Sequence, residues 1–283
     1  MSGARFEAQG VGHGTIAGVA ELDVSVEGGP GRRLVLLHGF TQGPASWDPL
    51  IGGLDRSLQI VRVTLPGHGP DGSASAKARL PFEAAASAIA EAVTAIAGPE
   101  PATWFGYSLG GRLALRVALD RPDLVDALAL LGATAGIEDA ADRAARMEID
   151  ERLADGLERK GVERFIDGWL AQALFSRLSR AAAFVEERRR GTVEGLASAL
   201  RLLGAGAQQP VWDRLDELAM PVLLLAGEHD TKFSAIGFRL AAAIGDNAGI
   251  TFVPGAGHAA HLERPDSVAT ILSRFLAALP APT

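Results

Sequence analysis

The sequence predicts an α/β fold in which a mostly parallel β-sheet is covered by helices on both faces. Short apolar runs recur along the chain, and they are continuous where a half-exposed strand would alternate with polar residues. Helical stretches separate these runs, which is the arrangement that parallel strands require. The alternation stops between residues 136 and 210, where we expect a helical cap inserted into the sheet domain.

Six apolar runs are the candidate strands, and each is bounded by turn residues. They are Leu34–Leu37, Ile60–Leu65, Ala102–Tyr107, Ala127–Leu131, Val222–Ala226 and Ile250–Val253. The predicted helices cover residues 44–54, 81–97, 109–120, 233–244 and 265–279. Residues 14–28 are expected to add a hairpin or an edge strand.

The predicted cap, residues 136–210, divides the core into residues 1–135 and 211–283. From Glu138 to Arg201 there are 13 acidic and 12 basic residues among 64 positions, whereas only 22% of the whole chain is charged. No strand-like run interrupts this segment, and its apolar residues have helical spacing. Insertions over the end of a sheet commonly serve as lids of an active site.

The composition excludes several classes of function. The 283-residue chain is 48% hydrophobic and has a formal charge of −7, so we expect a globular protein that binds neither nucleic acid nor an anionic membrane surface. It has no cysteine, which removes disulfides and thiolate chemistry. The opening MSGARFEAQG lacks the apolar core of a signal peptide, and no run of about 18 apolar residues could span a membrane. We therefore expect a cytoplasmic protein, and the sequence leaves its oligomeric state open.

The pentapeptide GYSLG, residues 106–110, follows a predicted strand and precedes a predicted helix. In this context G-x-S-x-G forms a nucleophile elbow, a strained turn that exposes a serine at the end of a strand. Glycines at both ends let the strand and the helix approach closely. We therefore predict that Ser108 is the reactive residue, the alternative being an ordinary strand–helix turn.

A serine hydroxyl is inert unless a base takes its proton. His258 follows the last predicted strand and Asp230 follows the strand before it, so both are expected at the same edge of the sheet as Ser108. In this predicted triad Asp230 fixes the tautomer of His258 and stabilises its protonated form. The rival acids are Glu228 and Asp246, and the rival base is His261, which we interpret as a wall residue.

Two backbone N–H groups are predicted to form the oxyanion hole. One belongs to Leu109, directly after the reactive serine, and the other to Phe40, in a loop where Gly39 lets the backbone turn. His38 and His68 are interpreted as side chains that brace loops. No His, Asp and Glu residues have metal-site spacing and no GxxxxGK loop occurs, so we expect no metal and no cofactor.

Arg112 lies four residues after Ser108, in the first turn of the predicted helix. A cation there faces the positive end of the helix dipole, so its charge requires compensation. We interpret Arg112 as a ligand of an anionic substrate. Composition argues against giving a lone arginine much weight, because only three of the 27 basic residues are lysines.

Together these motifs resemble the α/β-hydrolase fold. They are HGF at 38–40, LPGHG at 65–69, GYSLGG at 106–111, GEHD at 227–230 and GAGH at 255–258. The resemblance spans nearly the whole chain and implies an eight-stranded, mostly parallel sheet. The fold alone does not define the reaction, because it hosts many chemistries.

Four longer segments resemble one family with this fold, the succinyl-hydroxycyclohexadiene-carboxylate synthases of menaquinone biosynthesis. They are HGFTQGPASW, GYSLGGRLAL, EHDTKF and AGHAAHLERP. This resemblance implies a carbon–oxygen lyase that eliminates pyruvate, in which Ser108, activated by His258, is the base that removes a ring proton. The chain departs from the family at Ala259 and Gln42, which replace a polar and a small residue.

The same resemblance implies a small anionic substrate held by three arginines. Arg112 matches the first, and Arg146 and Arg188 match the second and third. Alternatives in the cap are Arg143, Arg189 and Arg190. Tyr107 and Trp169 match aromatic residues of the site. Cap arginines also commonly pair with nearby carboxylates, which is the competing interpretation.

Three functions follow from these residues. The first is the pyruvate-eliminating lyase. The second is a serine hydrolase that acts through an acyl-enzyme on a carboxylate-bearing ester or on a carbon–carbon bond. The third is a ligand-binding protein with an inherited, inactive triad.

Overall fold

The computed structural model describes residues 11–13 and 21–281, and it contains an eight-stranded sheet with the order β1-β2-β4-β3-β5-β6-β7-β8. The strands are β1 (Val11–His13), β2 (Asp23–Gly28), β3 (Arg33–Leu37), β4 (Gln59–Val63), β5 (Ala102–Tyr107), β6 (Val125–Leu131), β7 (Val222–Gly227) and β8 (Ala248–Val253). β2 is antiparallel to both of its neighbours, and all pairs from β4 to β8 are parallel. The predicted fold class is therefore confirmed.

All six predicted strands are present, and the predicted edge strand corresponds to β2. The rest of that prediction, residues 14–20, lies outside the described residues. β6 and β8 each begin two residues before the predicted run, and β4 ends at Val63 where the predicted run continues to Leu65. Thr64 and Leu65 instead enter the loop that contains Pro66, since proline lacks the N–H that a strand ladder needs.

The helices are α1 (Asp48–Ile51), α2 (Ala74–Lys77), α3 (Phe82–Ala97), α4 (Leu109–Asp120), α5 (Ala140–Lys160), α6 (Val162–Leu170), α7 (Val185–Arg188), α8 (Val193–Leu203), α9 (Thr231–Ile244), α10 (Ala260–Glu263) and α11 (Pro265–Ala278). Residues 44–54, predicted as one helix, form a 3₁₀ turn, Pro44–Trp47, followed by α1. No helix in residues 21–281 is long and apolar enough to cross a bilayer.

Two apolar clusters cover the two faces of the sheet. Ile89 of α3, Leu113 of α4 and Leu240 of α9 are buried on one face. Leu50 of α1 and Leu272 of α11 are buried on the other. Burial on both faces explains why the strand sequences are continuously apolar.

The chain between β6 and β7 is helical, in agreement with the charge-rich pattern there. α5, α6 and α8 bury a third apolar cluster of their own, which includes Leu157, Ile166 and Leu196. The division of the chain into core and cap at residues 136 and 210 stays a prediction. The loops after β3, β5, β7 and β8 leave the same edge of the sheet, and the helical segment adjoins this edge.

Candidate active site

Ser108 occupies a strained turn between β5 and α4. Its φ of 51° and ψ of −108° put a non-glycine residue in the left-handed half of backbone space, which costs free energy and is concentrated at functional sites. A Cβ on Gly110 would lie 2.0 Å from the backbone oxygen of Leu37, and one on Gly106 would lie 2.4 Å from that of Gly110. Only glycine therefore fits at the positions two residues before and two residues after the serine.

The structure brings Asp230 and His258 together with Ser108. Asp230 lies three residues after β7, and its Oδ2 is 2.6 Å from Nδ1 of His258. Nε2 of His258 is 3.4 Å from Oγ of Ser108. With its Nδ1 proton directed to the carboxylate, the imidazole presents an unprotonated Nε2 to the serine hydroxyl, which is the arrangement for general-base chemistry.

The position of Asp230 is fixed from a second direction. Its other oxygen, Oδ1, accepts a hydrogen bond from the Phe233 N–H and caps the N-terminus of α9. A carboxylate is favourable there because it faces the positive end of the helix dipole. The rival acid Glu228 is bound elsewhere, since its Oε2 accepts the Gly255 N–H at 2.7 Å. His261 is fully buried between Trp47 and Tyr107 and does not reach the serine by a hydrogen bond in the described residues.

The loop after β3 carries the predicted oxyanion donor Phe40. Two buried imidazoles hold this loop: Nε2 of His68 accepts the Thr41 N–H at 3.1 Å, and Nδ1 of His38 donates to the Gly39 oxygen at 2.9 Å. Among residues 21–281 the Phe40 N–H has no acceptor within the protein. Phe40 and Leu109 both line the cavity beside Ser108.

Burial keeps both bracing imidazoles neutral. Desolvation lowers the pKa of His68 to about 4, and it lowers the pKa of His38 well below its usual range, with the neighbouring His68 adding to the effect. A neutral imidazole has one donor and one acceptor, and each of these rings uses both. These contacts agree with the interpretation of His38 and His68 as loop braces.

A cavity of about 560 Å³ opens above the serine, between the edge of the sheet and the helices that follow β6. Its aromatic wall includes Tyr107 and Trp169, both of which were predicted to contact the substrate. Trp169 packs edge-on against Phe40 at 5.0 Å, and Tyr107 packs against His258 at 5.3 Å. The cavity has the size of a small-molecule site.

Arg112 is only 8% exposed and lines this cavity from α4. Its guanidinium donates to the backbone oxygen of Leu203 at 2.8 Å and to Oε1 of Gln208 at 3.1 Å. Leu203 ends α8, so the negative end of that helix dipole faces the cation. Part of the compensation that this cation requires is therefore a helix C-terminus, and the atoms that provide it are neutral.

Desolvation nevertheless dominates the electrostatics of Arg112 and lowers its pKa to about 9. Arg146 lowers the pKa further, and Asp150 opposes that change. Arg146 itself lines the cavity from α5, and its Nε donates to Oδ1 of the buried Asp150 at 2.9 Å. Arg146 thus has a carboxylate partner, whereas Arg112 has none within ion-pair distance in the described part of the chain.

Arg188, in α7, is 2% exposed and also lines the cavity. Its side chain binds the loop after β3, the predicted oxyanion loop, with Nη1 donating to Oγ1 of Thr41, while Nε donates to the Ala183 oxygen at 2.7 Å. Nη2 is buried and has no hydrogen-bond partner among the described residues. Desolvation lowers the pKa of Arg188 to about 10.

The alternative arginines of the predicted cap do not line this cavity. Arg143 donates to the oxygens of Ile137 and Glu138, and Arg189 pairs with Asp167 at 3.2 Å. Arg190 borders only a smaller neighbouring cavity. Between the predicted residues and their alternatives, the geometry therefore favours Arg146 and Arg188 as cavity residues.

Many further lining residues were not predicted as site residues, and they include Asp150, Gln42 and Lys232. Asp150 could have been found from the i,i+4 spacing to Arg146 on one helix. Gln42 was noted only as a departure from a family pattern. Within the described residues no group of His, Asp and Glu could hold a metal ion.

Comparisons with known proteins agree with this architecture. The sequence profile of the alpha/beta hydrolase family matches residues 34–271. A Bacillus subtilis (strain 168) protein, provisionally named a 2-succinyl-6-hydroxy-2,4-cyclohexadiene-1-carboxylate synthase, is 34% identical over 253 residues, which cover 88% of this chain and 91% of that protein. A pimeloyl-[acyl-carrier protein] methyl ester esterase of Xanthomonas axonopodis pv. citri (strain 306) is 32% identical over 259 residues, covering 89% and 98%.

A solved structure, MenH from S. aureus, superposes with a TM-score of 0.83 at 28% identity and covers 90% of this chain and 97% of that one. The resemblance inferred from the motifs is confirmed by these matches. The profile alone spans well over half of the chain. The chain therefore belongs to the alpha/beta hydrolase family.

Proposed function

We propose that this protein is a carbon–oxygen lyase. It eliminates pyruvate from 2-succinyl-5-enolpyruvyl-6-hydroxy-3-cyclohexene-1-carboxylate and forms 2-succinyl-6-hydroxy-2,4-cyclohexadiene-1-carboxylate. One observation carries the proposal: Arg112 and Arg188 are buried cations that line the same cavity as Ser108, and neither has a carboxylate partner among the described residues. The names of the B. subtilis relative and of MenH from S. aureus support the same reaction.

The charges explain the choice of substrate. A buried cation without a counterion is costly, and that cost falls when a carboxylate binds with good hydrogen bonds. The proposed substrate has three carboxylates, on the succinyl group, the enolpyruvyl group and the ring. Arg112, Arg188 and the partly exposed Arg146 are the three arginines proposed to bind them.

The proposed reaction begins when Nε2 of His258 accepts the proton of Ser108. Oγ then removes the ring proton next to the succinyl ketone, and the electron pair of that C–H bond moves onto the ketone oxygen. The N–H groups of Phe40 and Leu109 stabilise this enolate. As the ketone re-forms, the ring carbon–oxygen bond breaks, the conjugated diene forms, and the enolpyruvyl group leaves and takes up a proton to become pyruvate. No acyl-enzyme is formed.

The alternative is a serine hydrolase, and the esterase relative from Xanthomonas favours it. In that reaction Ser108 attacks an ester carbonyl, and water later releases the acyl group. The same triad and the same oxyanion donors serve both reactions. The lyase is preferred because its substrate brings a carboxylate for each buried guanidinium group, whereas an ester with a single carboxylate would leave one of the two unpaired.

Pyruvate release tests the proposal. The protein is incubated with the enolpyruvyl substrate, and pyruvate is followed through NADH oxidation by lactate dehydrogenase. We expect release well above the uncatalysed rate, with loss of the enhancement in Ser108→Ala. A rate equal to that of buffer would refute the lyase. A stable mass increase on Ser108 with an ester substrate would support the hydrolase, and ligand binding without turnover would support the non-catalytic alternative.

A further inference from the structure

The side chain of Gln42 lies folded against the oxyanion loop. Gln42 is 3% exposed, and its Oε1 accepts the Gly39 N–H at 3.0 Å. The Gln42 backbone N–H donates to the Gly39 oxygen at 3.1 Å, which closes the loop on itself. Gly39 is thus held at both of its polar groups by one residue, and the next peptide N–H, that of Phe40, has no acceptor in the described protein.

The other end of the same amide, Nε2, is buried and has no hydrogen-bond partner among residues 21–281. The orientation of the amide is fixed chemically, because exchanging its oxygen and nitrogen would place an NH₂ group against the Gly39 N–H. Two N–H donors of Gln42 therefore have no acceptor. A buried donor without an acceptor is rare in a folded protein and calls for a partner that the protein itself does not provide.

A second donor of the same kind is adjacent. Nη2 of Arg188 is also buried without a partner, and Nη1 of that side chain donates to Thr41, the residue next to Gln42. The cavity above the serine is lined by all three of Gln42, Arg188 and Ser108. Two side chains anchored to the same loop, each about 97% buried or more, thus have unused donors and line the same cavity as the reactive serine.

We propose that Gln42 is a substrate-binding residue whose amide nitrogen donates to a carboxylate oxygen held jointly with Arg188, while its amide oxygen positions the loop of the oxyanion hole. The proposal rests on the proposed function, since it requires a substrate with a carboxylate near the reacting atoms. A guanidinium and an amide on one loop give the carboxylate two directions of hydrogen bonding. Gln42 thereby links recognition of the anion to the geometry of the oxyanion hole.

A competing explanation is a buried water. Gln42 and Arg188 also border a small cavity of about 90 Å³, together with Glu187. Oε2 of Glu187 is buried there without a partner, and its Oε1 accepts the Ala45 N–H at 3.2 Å. One water between Nε2 of Gln42 and Oε2 of Glu187 would satisfy both groups without any substrate.

Substitutions separate the two ends of the amide. Gln42→Glu keeps an oxygen for the Gly39 N–H and removes both Nε2 donors, so we expect KM for the enolpyruvyl substrate to rise at least tenfold with kcat changed less than threefold. The difference in KM between Gln42→Glu and the wild type should become smaller at acid pH, where a protonated glutamate regains a donor. Gln42→Met removes both functions, so its kcat should fall as well. Gln59→Glu, whose amide binds Arg33 away from the cavity, is the matched control and should leave both constants unchanged.

Binding measured without turnover separates this proposal from the proposed function. In a Ser108→Ala background, calorimetric Kd values for the enolpyruvyl substrate are compared between Gln42 and Gln42→Glu, with thermal unfolding as the check on folding. A Kd weakened at least tenfold supports the proposal even if no pyruvate is released. An unchanged Kd and KM in a folded Gln42→Glu protein would overturn it, as would a ligand-bound crystal structure in which Nε2 contacts only a water shared with Glu187.

Discussion

Two regions of the cavity differ in how their charges are compensated. One is the triad end, with Ser108, Asp230 and His258, and the other is the arginine end, with Arg112 and Arg146. At the triad end, His258 faces a carboxylate, Asp230, at 2.6 Å, and the nearby loop is held by imidazoles that burial keeps neutral. At the opposite end, Arg112 is buried against the neutral oxygens of Leu203 and Gln208. The triad itself is electrostatically complete without a ligand, whereas Arg112 has no carboxylate partner among the described residues, and Nη2 of Arg188, which binds the loop after β3, has no hydrogen-bond partner there.

This difference separates what each end contributes. A complete triad activates one oxygen atom and is compatible with many substrates, because its geometry is satisfied in the free protein. An incomplete cationic end favours a ligand that brings negative charge. Reaction chemistry is therefore assigned to the triad, and specificity to the buried cations that line the cavity.

The largest expected effect is at the triad end. Ser108→Ala removes the oxygen proposed to act as the base, and we expect kcat for pyruvate release to fall by about 10³-fold or more, with a small change in substrate Kd. Steady-state kinetics together with calorimetry measure the two quantities. Ser87→Ala, on the exposed side of α3, is the control. A Ser108→Ala protein that retains most of its kcat would show that the triad end does not carry the chemistry.

The second prediction concerns His68, the neutral imidazole that holds the loop after β3 at the triad end. Because the pKa of His68 falls to about 4 from a usual 6.5, the unfolded chain binds a proton in this range that the folded protein does not. The free energy of unfolding should therefore decrease as the pH falls from 6.5 toward 4, by about 3 kcal/mol for this one group. Urea unfolding at a series of pH values measures this.

His68→Gln tests this dependence of the free energy of unfolding on pH. The control is His229→Gln, at an exposed position. In His68→Gln the free energy of unfolding should change less with pH below 6.5, because one titrating group has been removed. His229→Gln should follow the wild type. Equal slopes in all three proteins would mean that His68 is not the group whose protonation opposes folding.

The third prediction addresses the arginine end. Arg112→Ala should lower kcat/KM at least about tenfold, chiefly through KM, as expected for the loss of one charge-assisted contact of about 1.5–3 kcal/mol. Arg112→Lys keeps the charge without the planar fork, so its effect should be intermediate. Arg116→Ala, one turn further along α4 and paired with Asp120, is the control. Unchanged kinetics in a folded Arg112→Ala protein would remove the distinction between the two ends.

The smallest predicted effect is a decrease in KM, whereas the substitution of Arg112 is expected to raise KM. Asp150 is buried beside Arg146, and its charge raises the pKa of Arg112, so it partly neutralises the cationic end. Asp150→Asn should therefore lower the KM of an anionic substrate by about two- to fivefold. Asp155→Asn, which loses a pair with Arg201 on the outer side of the same helix, should change nothing. A higher KM in Asp150→Asn would indicate that this carboxylate chiefly orients Arg146.

The two ends also differ in how far the sequence predicts them. Ser108, Asp230 and His258 each follow a strand, and parallel strands bring their carboxyl ends to one edge, so chain order alone predicted that they would meet. Arg112 was recognised as a cation in the first turn of a helix, where it faces the positive end of the helix dipole. Its partners could not be recognised, because Leu203 is 91 residues away and is brought close only by the packing of α8.

Arg188 shows the same limit. Its contact with Thr41 depends on how the helical segment after β6 is seated on the core, and no local pattern encodes that placement. Arg146 and Asp150 are the exception, because their i,i+4 spacing lies within one helix. Strand ends and helical repeats were predictable, while contacts between the helical segment and the sheet loops required the structure.

The most direct test of the account compares two substrates on one preparation of the wild-type protein. The kcat/KM for pyruvate release from the enolpyruvyl substrate is measured beside that for hydrolysis of a pimeloyl-[acyl-carrier protein] methyl ester. A site completed by an anionic ligand predicts a preference of at least about a hundredfold for the enolpyruvyl substrate, which corresponds to about 3 kcal/mol of transition-state binding. Faster hydrolysis of the ester, with no pyruvate above the uncatalysed rate, would contradict it.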